Sequence, residues 1–600
     1  MIGTYKKLLE IMTPAERKRF WMLVGITFCL AAVEAASVIS ILPFLHLLSN
    51  PELIETNRIL AWINDALGFE TRSQFLFAAG AAIFVITVTG LLMKMATIWI
   101  TSRFALMRAY SFSSRLLTGY LHQPYEWFLS RHSSDLGNAI LSEVDQVVSF
   151  SLLPAMRIIP ETFTVILLII SLCLLEPWVA LGGAALLGGS YGLVYLVVRN
   201  LLTRLGQVRL EANRQRFHSV QEATGGVKEL KIIGLEEAYL SRFRTAALRM
   251  ARVQTRTQIL GETPRYALEA IAFGGMILLI LIMLLQRGGD IGALIPTLGV
   301  IAAVGLRLIP ALQILYRRGA NLRQSRPTLD RIHGDMTGLD KVHATQRARR
   351  EALPPLPLGT RLELRDVRYA YPGTDRSALQ GLDLVIDAKT TVGIVGGTGA
   401  GKTTLVDIML GLLDPSEGEM IVDGERITPE NRRAWQKTLG YVPQTIFLSD
   451  GSVAENIAFG IPPDEIDRAA VERAARIAAL HDFVVDEMPE GYDTTVGERG
   501  ARLSGGQRQR VGIARALYHD PAMLILDEAT SALDTVTERA VMEAVHNIAG
   551  TKTIVMIAHR LSTVRDCDTI FLLERGRVSA SGSFEDLPKK SHAFQKMLEA

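Results

Sequence analysis

The stretch Thr391-Val392-Gly393-Ile394-Val395-Gly396-Gly397-Thr398-Gly399-Ala400-Gly401-Lys402-Thr403 decides how the C-terminal half is read. Its opening residues, rich in β-branched side chains, are a buried-strand signal. Helical patterning follows from Thr404 to Leu413. Gly396–Thr403 fits G-x-x-x-x-G-K-[ST] in the strand–loop–helix setting that this pattern requires. Glycines let backbone N–H groups close around phosphate, and the helix N-terminus adds its positive end. In such a loop Lys402 neutralises the β- and γ-phosphates and the Thr403 hydroxyl ligates Mg²⁺. The expected cradle comprises Gly396, Gly397, Thr398, Gly399, Ala400, Gly401, Lys402, Thr403 and Thr404.

Further along, a second strand, Ala522–Leu526, ends in Asp527-Glu528. A carboxylate at that strand end beside a phosphate loop holds Mg²⁺, which is the role expected of Asp527. Glu528 is placed to accept a proton from attacking water. A third strand, Thr553–Ala558, ends in His559, within expected reach of the γ-phosphate. Between these elements stands Leu503-Ser504-Gly505-Gly506-Gln507, ahead of the helical run Arg508–Tyr518. Serine and two glycines at a helix start form another anion cradle. Two cradles for one nucleotide imply that two copies of the chain share each ATP.

These elements, in this order, resemble an ABC-transporter ATPase domain over about 360–590. Leu503–Gln507 is similar to the signature of that family. The resemblance implies that Tyr371 stacks on adenine, that Gln444 is the Q-loop glutamine and a further Mg²⁺ ligand, and that Ser504, Gly505, Gly506 and Gln507 cap ATP. Thr495–Gly500 resembles the exporter-type loop before the signature. Ser531–Asp534 resembles the D-loop, with Asp534 at the nucleotide interface. Glu528 and His559 are both present, so the resemblance implies an active ATPase.

The N-terminal half is of another kind. The chain has 600 residues, too many for one core, and 49% are hydrophobic. Mean hydropathy is +0.23. The apolar excess lies in 20–316, which excludes a disordered chain and a simple cytosolic enzyme. Sixty-four basic against 61 acidic residues leave +3, so nucleic acid is not an expected partner. Cys29, Cys173 and Cys567 show neither metal nor disulfide spacing. The first apolar run is too long for a cleavable signal.

A bilayer needs about 20 apolar residues per helix. Six stretches qualify: about 20–48, 75–100, 152–174, 178–199, 266–286 and 291–316. Basic flanks (Lys6, Lys7, Arg17–Arg19, Arg103, Arg108, Arg115, Arg199, Arg204, Arg317, Arg318) place both termini in the cytoplasm. The long inner loops, 101–151 and 200–265, keep helical patterning. Spans two to five should therefore project into the cytoplasm, with tips near Pro124–Ser134 and Gly225–Gly234. Outside, 57–69 reads as an amphipathic helix on the outer leaflet. Residues 317–359, with Arg347, Arg349, Arg350, Pro354, Pro355 and Pro357, read as a connector.

Charges inside the bilayer are costly and mark function by default. Lys94 in span two, Arg265 at the entry of span five and Arg307 in span six all lie toward the inner leaflet. A cavity shared by them would suit a phosphate or diphosphate headgroup. Glu34 reads as an intramembrane partner or helix-packing residue rather than a ligand group. The outer amphipathic segment 57–69, Leu42-Pro43-Phe44, Gly226–Lys231, Pro264-Arg265-Tyr266 and Arg307–Pro310 resemble the flippases of lipid-linked oligosaccharides (PglK type). That likeness implies a polyprenyl-diphosphate cargo met by Arg265 and Arg307, while Lys94 only stands near the family's third such position.

The expected architecture is thus an α-helical membrane domain of six transmembrane helices (1–316, type I ABC exporter-like) plus an α/β P-loop NTPase domain (360–600). The expected activity is an ATP-driven homodimeric half-transporter in a bacterial inner membrane, using Mg²⁺ and moving an anionic lipid-linked substrate. A general lipid or drug exporter is the competing expectation. The spans argue against a soluble ABC ATPase of DNA repair or translation.

Overall fold

The computed structural model describes residues 2–39, 57–69, 71–175, 177–286, 295–347, 353–374, 376–497, 500–528, 548–558 and 560–599, with isolated positions in 44–54 and 538–545. Two compact units emerge, one of 1–123 and 130–344, the other of 124–129 and 345–600.

The first unit is helical. It comprises α1 (Ile2–Glu10), α2 (Pro14–Ile39), α3 (Arg58–Leu67) and α4 (Arg72–Leu121). After the short α5 (Tyr125–Leu129), which belongs to the second unit, come α6 (Ser133–Asn138), α7 (Leu153–Leu175), α8 (Pro177–Gly225), α9 (Val227–Ile233), α10 (Glu236–Gln286), α11 (Ile295–Gln324) and α12 (Arg326–Arg347). Helices α4, α8 and α10 have 50, 49 and 51 residues. At 1.5 Å per residue each is about 75 Å long, far more than a bilayer core of about 30 Å.

Helix α4 shows why one helix has two environments. Thr71 starts it with a capping box, accepting from the Gln74 backbone while the Gln74 side chain accepts from Thr71. Its first half exposes Phe77, Phe84, Met95 and Trp99. Such an apolar surface suits lipid rather than water. Its second half buries Phe104, Phe112, Leu116 and Tyr120 against protein. Among the described residues, α4 and the helical stretch Ser133–Ile170 are long and apolar enough to cross a membrane.

Between α6 and α7 the helix widens into two π-helical turns, Ala139–Glu143 and Val148–Leu152. The first carries the buried Glu143, which accepts from Asn138 at 2.7 Å and from Arg331 of α12 at 2.7 Å. In α3, Leu60 and Ile63 pack toward Leu47, Ile54 and Phe75, while Trp62 is exposed. Residues 317–347, read from the sequence as the start of a connector, are helical, and their first part belongs to this unit.

The second unit has two sheets. Strands β1 (Arg361–Ala370), β2 (Ser377–Asp387), β4 (Glu417–Val422) and β5 (Glu425–Arg426) form an antiparallel sheet ordered β2-β1-β4-β5. The other sheet runs β10-β9-β3-β8-β7-β6, built from β3 (Thr391–Gly396), β6 (Leu439–Val442), β7 (Met523–Asp527), β8 (Thr553–Ile557), β9 (Thr569–Glu574) and β10 (Arg577–Gly582). From β9 to β6 all its pairings are parallel. In parallel sheets ligands gather at the C-terminal strand ends. Helix α13 (Lys402–Met409) leaves β3 there, and α14 (Gly505–Leu517) lies in a helical layer packed by Leu503, Val511, Ala474 and Val453.

Candidate nucleotide and cargo sites

Strand β3 is wholly buried and delivers the glycine loop to the sheet edge. Gly397, Thr398 and Gly399 are exposed there, whereas Ala400 turns inward. Gly401 has φ 104°, and a Cβ on it would stand 2.8 Å from the Ala378 carbonyl oxygen. The loop is therefore pressed on β2, and only glycine fits. Lys402 opens α13 and is 7% exposed. Its Nζ donates to the carbonyls of Gly396 at 2.6 Å and Gly397 at 3.3 Å. Burial lowers its pKa, and the charges of Glu528 and Asp527 oppose that shift.

Thr403 is exposed and Thr404 is buried. The Thr404 hydroxyl lies 3.1 Å from the Tyr371 hydroxyl, which brings the expected adenine partner against α13. Two strands away from β3, β7 delivers Asp527 and Glu528 to the same edge. Glu528 has φ 50°, unusual for a residue with a side chain. Its N–H still pairs with the Ile557 carbonyl at 3.0 Å. Gln444 Nε2 donates to Glu528 Oε2 at 2.8 Å, so the structure brings together two residues that lie 84 apart in the sequence.

Ser504 caps α14 in a closed capping box with Gln507. Among the described residues no hydrogen bond or ion pair joins Ser504–Gln507 to Gly396–Thr403. His559, Asp534 and the rest of Ser531–Asp534 lie outside the described residues, as do Glu498 and Arg499 of the Thr495–Gly500 loop.

Three residues around this site belong to no motif. The Tyr441 hydroxyl is hydrogen-bonded to Asp527. Asp407 of α13 is pushed up to about 6 by burial, and the Asp527 charge adds to the shift. Glu126 of α5 accepts from the Tyr369 hydroxyl at 3.0 Å, because Pro124–Leu129 packs with the second unit.

In the first unit, a cavity of about 170 Å³ is lined by Lys94 of α4, Arg157 and Glu161 of α7, and Arg318 of α11, with Thr27, Thr97 and Thr164. Arg157 also donates to Ser102 Oγ at 2.9 Å. Arg265 is not among its lining residues. It donates to Glu269 at 2.8 Å, and Gln313 donates to the same carboxylate oxygen at 2.7 Å. The side chains of Arg307 and Glu34 lie outside the described residues, as do Leu42 and Pro43.

Two family descriptions match the chain. Residues 379–531 match "ABC transporter" and 53–285 match "ABC transporter transmembrane region". An ATP-dependent lipid A-core flippase of Cupriavidus pinatubonensis is 33% identical over 475 residues, which is 78% of either chain. The chain belongs to the ABC transporter family. This transporter is also 30% identical over 495 residues, 81% of either chain, to an uncharacterized ABC transporter ATP-binding protein of Sinorhizobium fredii. A solved bacterial Atm1-family ABC exporter with ATP bound matches it at TM-score 0.77 and 25% identity, over 98% of this chain and 99% of that one. The transporter thus has the type I exporter fold, a helical membrane domain fused to an α/β nucleotide-binding domain, and is an ATP-hydrolysing translocase of the membrane.

Proposed function

We infer that the transporter works as a homodimer in a bacterial inner membrane and moves an anionic lipid-linked substrate such as a polyprenyl-diphosphate oligosaccharide. The cavity that gathers Lys94, Arg157 and Arg318 around one carboxylate, Glu161, carries this reading. Cations at that depth are expensive unless they meet an anion, and guanidinium groups match phosphate geometry. Arg265, held by Glu269, is a weaker candidate ligand, and Arg307 enters on its position in span six.

The homodimer is supported by the lack, among the described residues, of any hydrogen bond or ion pair joining Ser504–Gln507 to the glycine loop of the same chain. The signature of one copy then caps ATP on Lys402 and Thr403 of the other. Lys402 exchanges its two loop carbonyls for phosphate oxygens. Thr403, Gln444 and Asp527 offer the all-oxygen donor set that Mg²⁺ prefers, and Mg²⁺ neutralises phosphate charge when bound. Tyr441 holds the Asp527 carboxylate by its hydrogen bond. Glu528, oriented by Gln444, accepts the proton of the attacking water, and His559 steadies the γ-phosphate. Closure of the paired ATPase domains favours the outward-facing state by differential binding, the rule for any ligand-driven shift.

The lipid A-core flippase relatives favour a second cargo, a phosphorylated glycolipid of that type. Proteoliposomes separate the readings. Labelled polyprenyl-diphosphate glycan, lipid A, phosphatidylcholine and a cationic dye are compared for ATP-dependent flipping. Either phosphorylated lipid should be moved preferentially, and Lys94→Ala or Arg157→Ala should lower its flipping about tenfold. Equal transport of the dye, or no effect of these changes and of Arg307→Ala, sinks the anionic-cargo reading.

A further inference from the structure

A second basic cavity, of about 120 Å³, opens in the first unit. It is lined by Lys7 of α1, Tyr195 of α8, Arg323 of α11, and Arg326 and Asp330 of α12. None of these residues lines the Lys94 cavity. The wall is built rather than incidental. Leu8, Ile11 and Met12 are buried, and the Tyr5 hydroxyl donates to the Ala155 carbonyl at 2.7 Å, so α1 is anchored along its length. His333 and Glu10 pair at 2.6 Å and tie α1 to α12. Arg323 Nε donates to the Tyr195 hydroxyl at 3.0 Å, which orients its guanidinium.

The charges do not balance. Asp330 pairs with Lys7 at 2.8 Å and reaches Arg326 at 3.8 Å. Among the described residues of this wall it is the single carboxylate against three cations, leaving the wall positive. Gly319 adds no side chain, and the space equals that of several waters at about 30 Å³ each, room for one phosphate group. The location is telling as well. Lys7 precedes the first expected span, Tyr195 lies near the inner end of the expected span 178–199, and Gly319 follows the end of span six. All three belong at the level of the cytoplasmic headgroups, where basic residues recruit anionic lipid. Ile2, 87% exposed and next in sequence to the lining residue Gly3, offers an apolar contact for acyl chains.

We propose that this cavity binds the phosphate group of an anionic phospholipid of the cytoplasmic leaflet. Arg323, Arg326 and Lys7 are its ligands, Tyr195 positions Arg323, and Asp330 competes with the phosphate for Lys7 and Arg326. A free phosphate ion has the same chemistry, so the test has an arm for each source. Delipidated full-length transporter in detergent is titrated with phosphatidylglycerol, phosphatidylcholine or inorganic phosphate, and bound molecules are resolved by native mass spectrometry. Arg323→Gln with Arg326→Gln should weaken phosphatidylglycerol binding about tenfold and leave phosphatidylcholine unchanged. Asp330→Asn should tighten it about threefold, a change of opposite sign that general unfolding cannot imitate. Unaltered phosphatidylglycerol binding by the double variant overturns the proposal. So does weakening by Asp330→Asn, and so does displacement of the lipid by an equal concentration of inorganic phosphate.

Discussion

The glycine loop and the Lys94 cavity are both suited to phosphate, yet they are assembled in opposite ways. The loop is made mainly of backbone. Gly401 presses on β2, Lys402 is held by two carbonyls of its own loop, and α13 starts at once. The cavity is made of side chains from α2, α4, α7 and α11, with no shared local geometry. A backbone site tolerates little, because one Cβ in the wrong place obstructs it. A side-chain site should fail in parts, each cation removing a share of the attraction.

The sharpest way to probe the first half of that contrast is Glu528→Gln. Turnover should fall by about 10²–10⁴, because the proposed proton acceptor is lost. Nucleotide binding should persist, since the partner proposed for Glu528 is the attacking water, and Lys402 and the glycine loop are left intact. Steady-state ATPase activity beside fluorescent-nucleotide binding checks both. Normal turnover would remove Glu528 from its proposed role.

Gly401→Ala comes next. The left-handed φ and the 2.8 Å approach to Ala378 mean that the loop must move. Nucleotide affinity should drop by about tenfold or more, since a β-carbon where φ is positive costs over about 1 kcal/mol before any clash is counted. By contrast, Lys94→Ala and Arg157→Ala should each weaken cargo stimulation about tenfold while nucleotide affinity holds. If either cavity change alone abolished cargo response, the cavity too would be an all-or-none site and the contrast would break.

The same contrast explains which parts of the molecule are legible in the sequence. Gly396–Thr403 and Ser504–Gln507 can be read there because their chemistry requires fixed local spacing, and spacing is a property of the sequence. The pairing of Gln444 with Glu528 follows from the family order, but its 2.8 Å contact needs the sheet. Tyr441 gives no signal. It meets Asp527 only because β6 lies beside β7 with Tyr441 opposite Ile525. Asp407 looks like one more polar residue on a helix, and only burial beside Asp527 gives it a raised pKa. In the membrane half, Arg157 and Glu161 stand inside the expected span 152–174. They carry the same signal of intramembrane charge that singles out Lys94, yet the family likeness points to Arg265 instead. Helix packing puts Lys94 with Arg157 and Arg318, while Arg265 finds Glu269 on its own helix.

Two carboxylates extend the comparison to stability and give the smallest effects. In the first unit, burial pushes Glu143 up to about 7, against the pull of Arg331. Its folded pKa exceeds the unfolded value, so the folded state binds the extra proton. Stability from this group therefore grows as pH falls from about 7 toward the ordinary carboxylate range of about 4.3. Asp423 in the second unit runs the other way. Burial disfavours its charge, but the Thr360 hydroxyl and the backbone N–H groups of Gly359, Thr360 and Arg361 outweigh that and hold it at about 2. Its contribution is present above about 3.9 and is lost as pH falls toward about 2. Because Asp423 is exposed, it should supply only about 1 kcal/mol. Glu143→Gln should remove the acid-side gain between pH 7 and 4.5, read as the wild-type-minus-variant difference in unfolding temperature of the full chain. Asp423→Asn should speed hydrogen exchange at residues 359–361 at pH 7, with the difference from wild type shrinking at pH 3. Slopes of the same sign for both residues would show that the two units do not hold their carboxylates by opposite means, one by burial and the other by backbone donors.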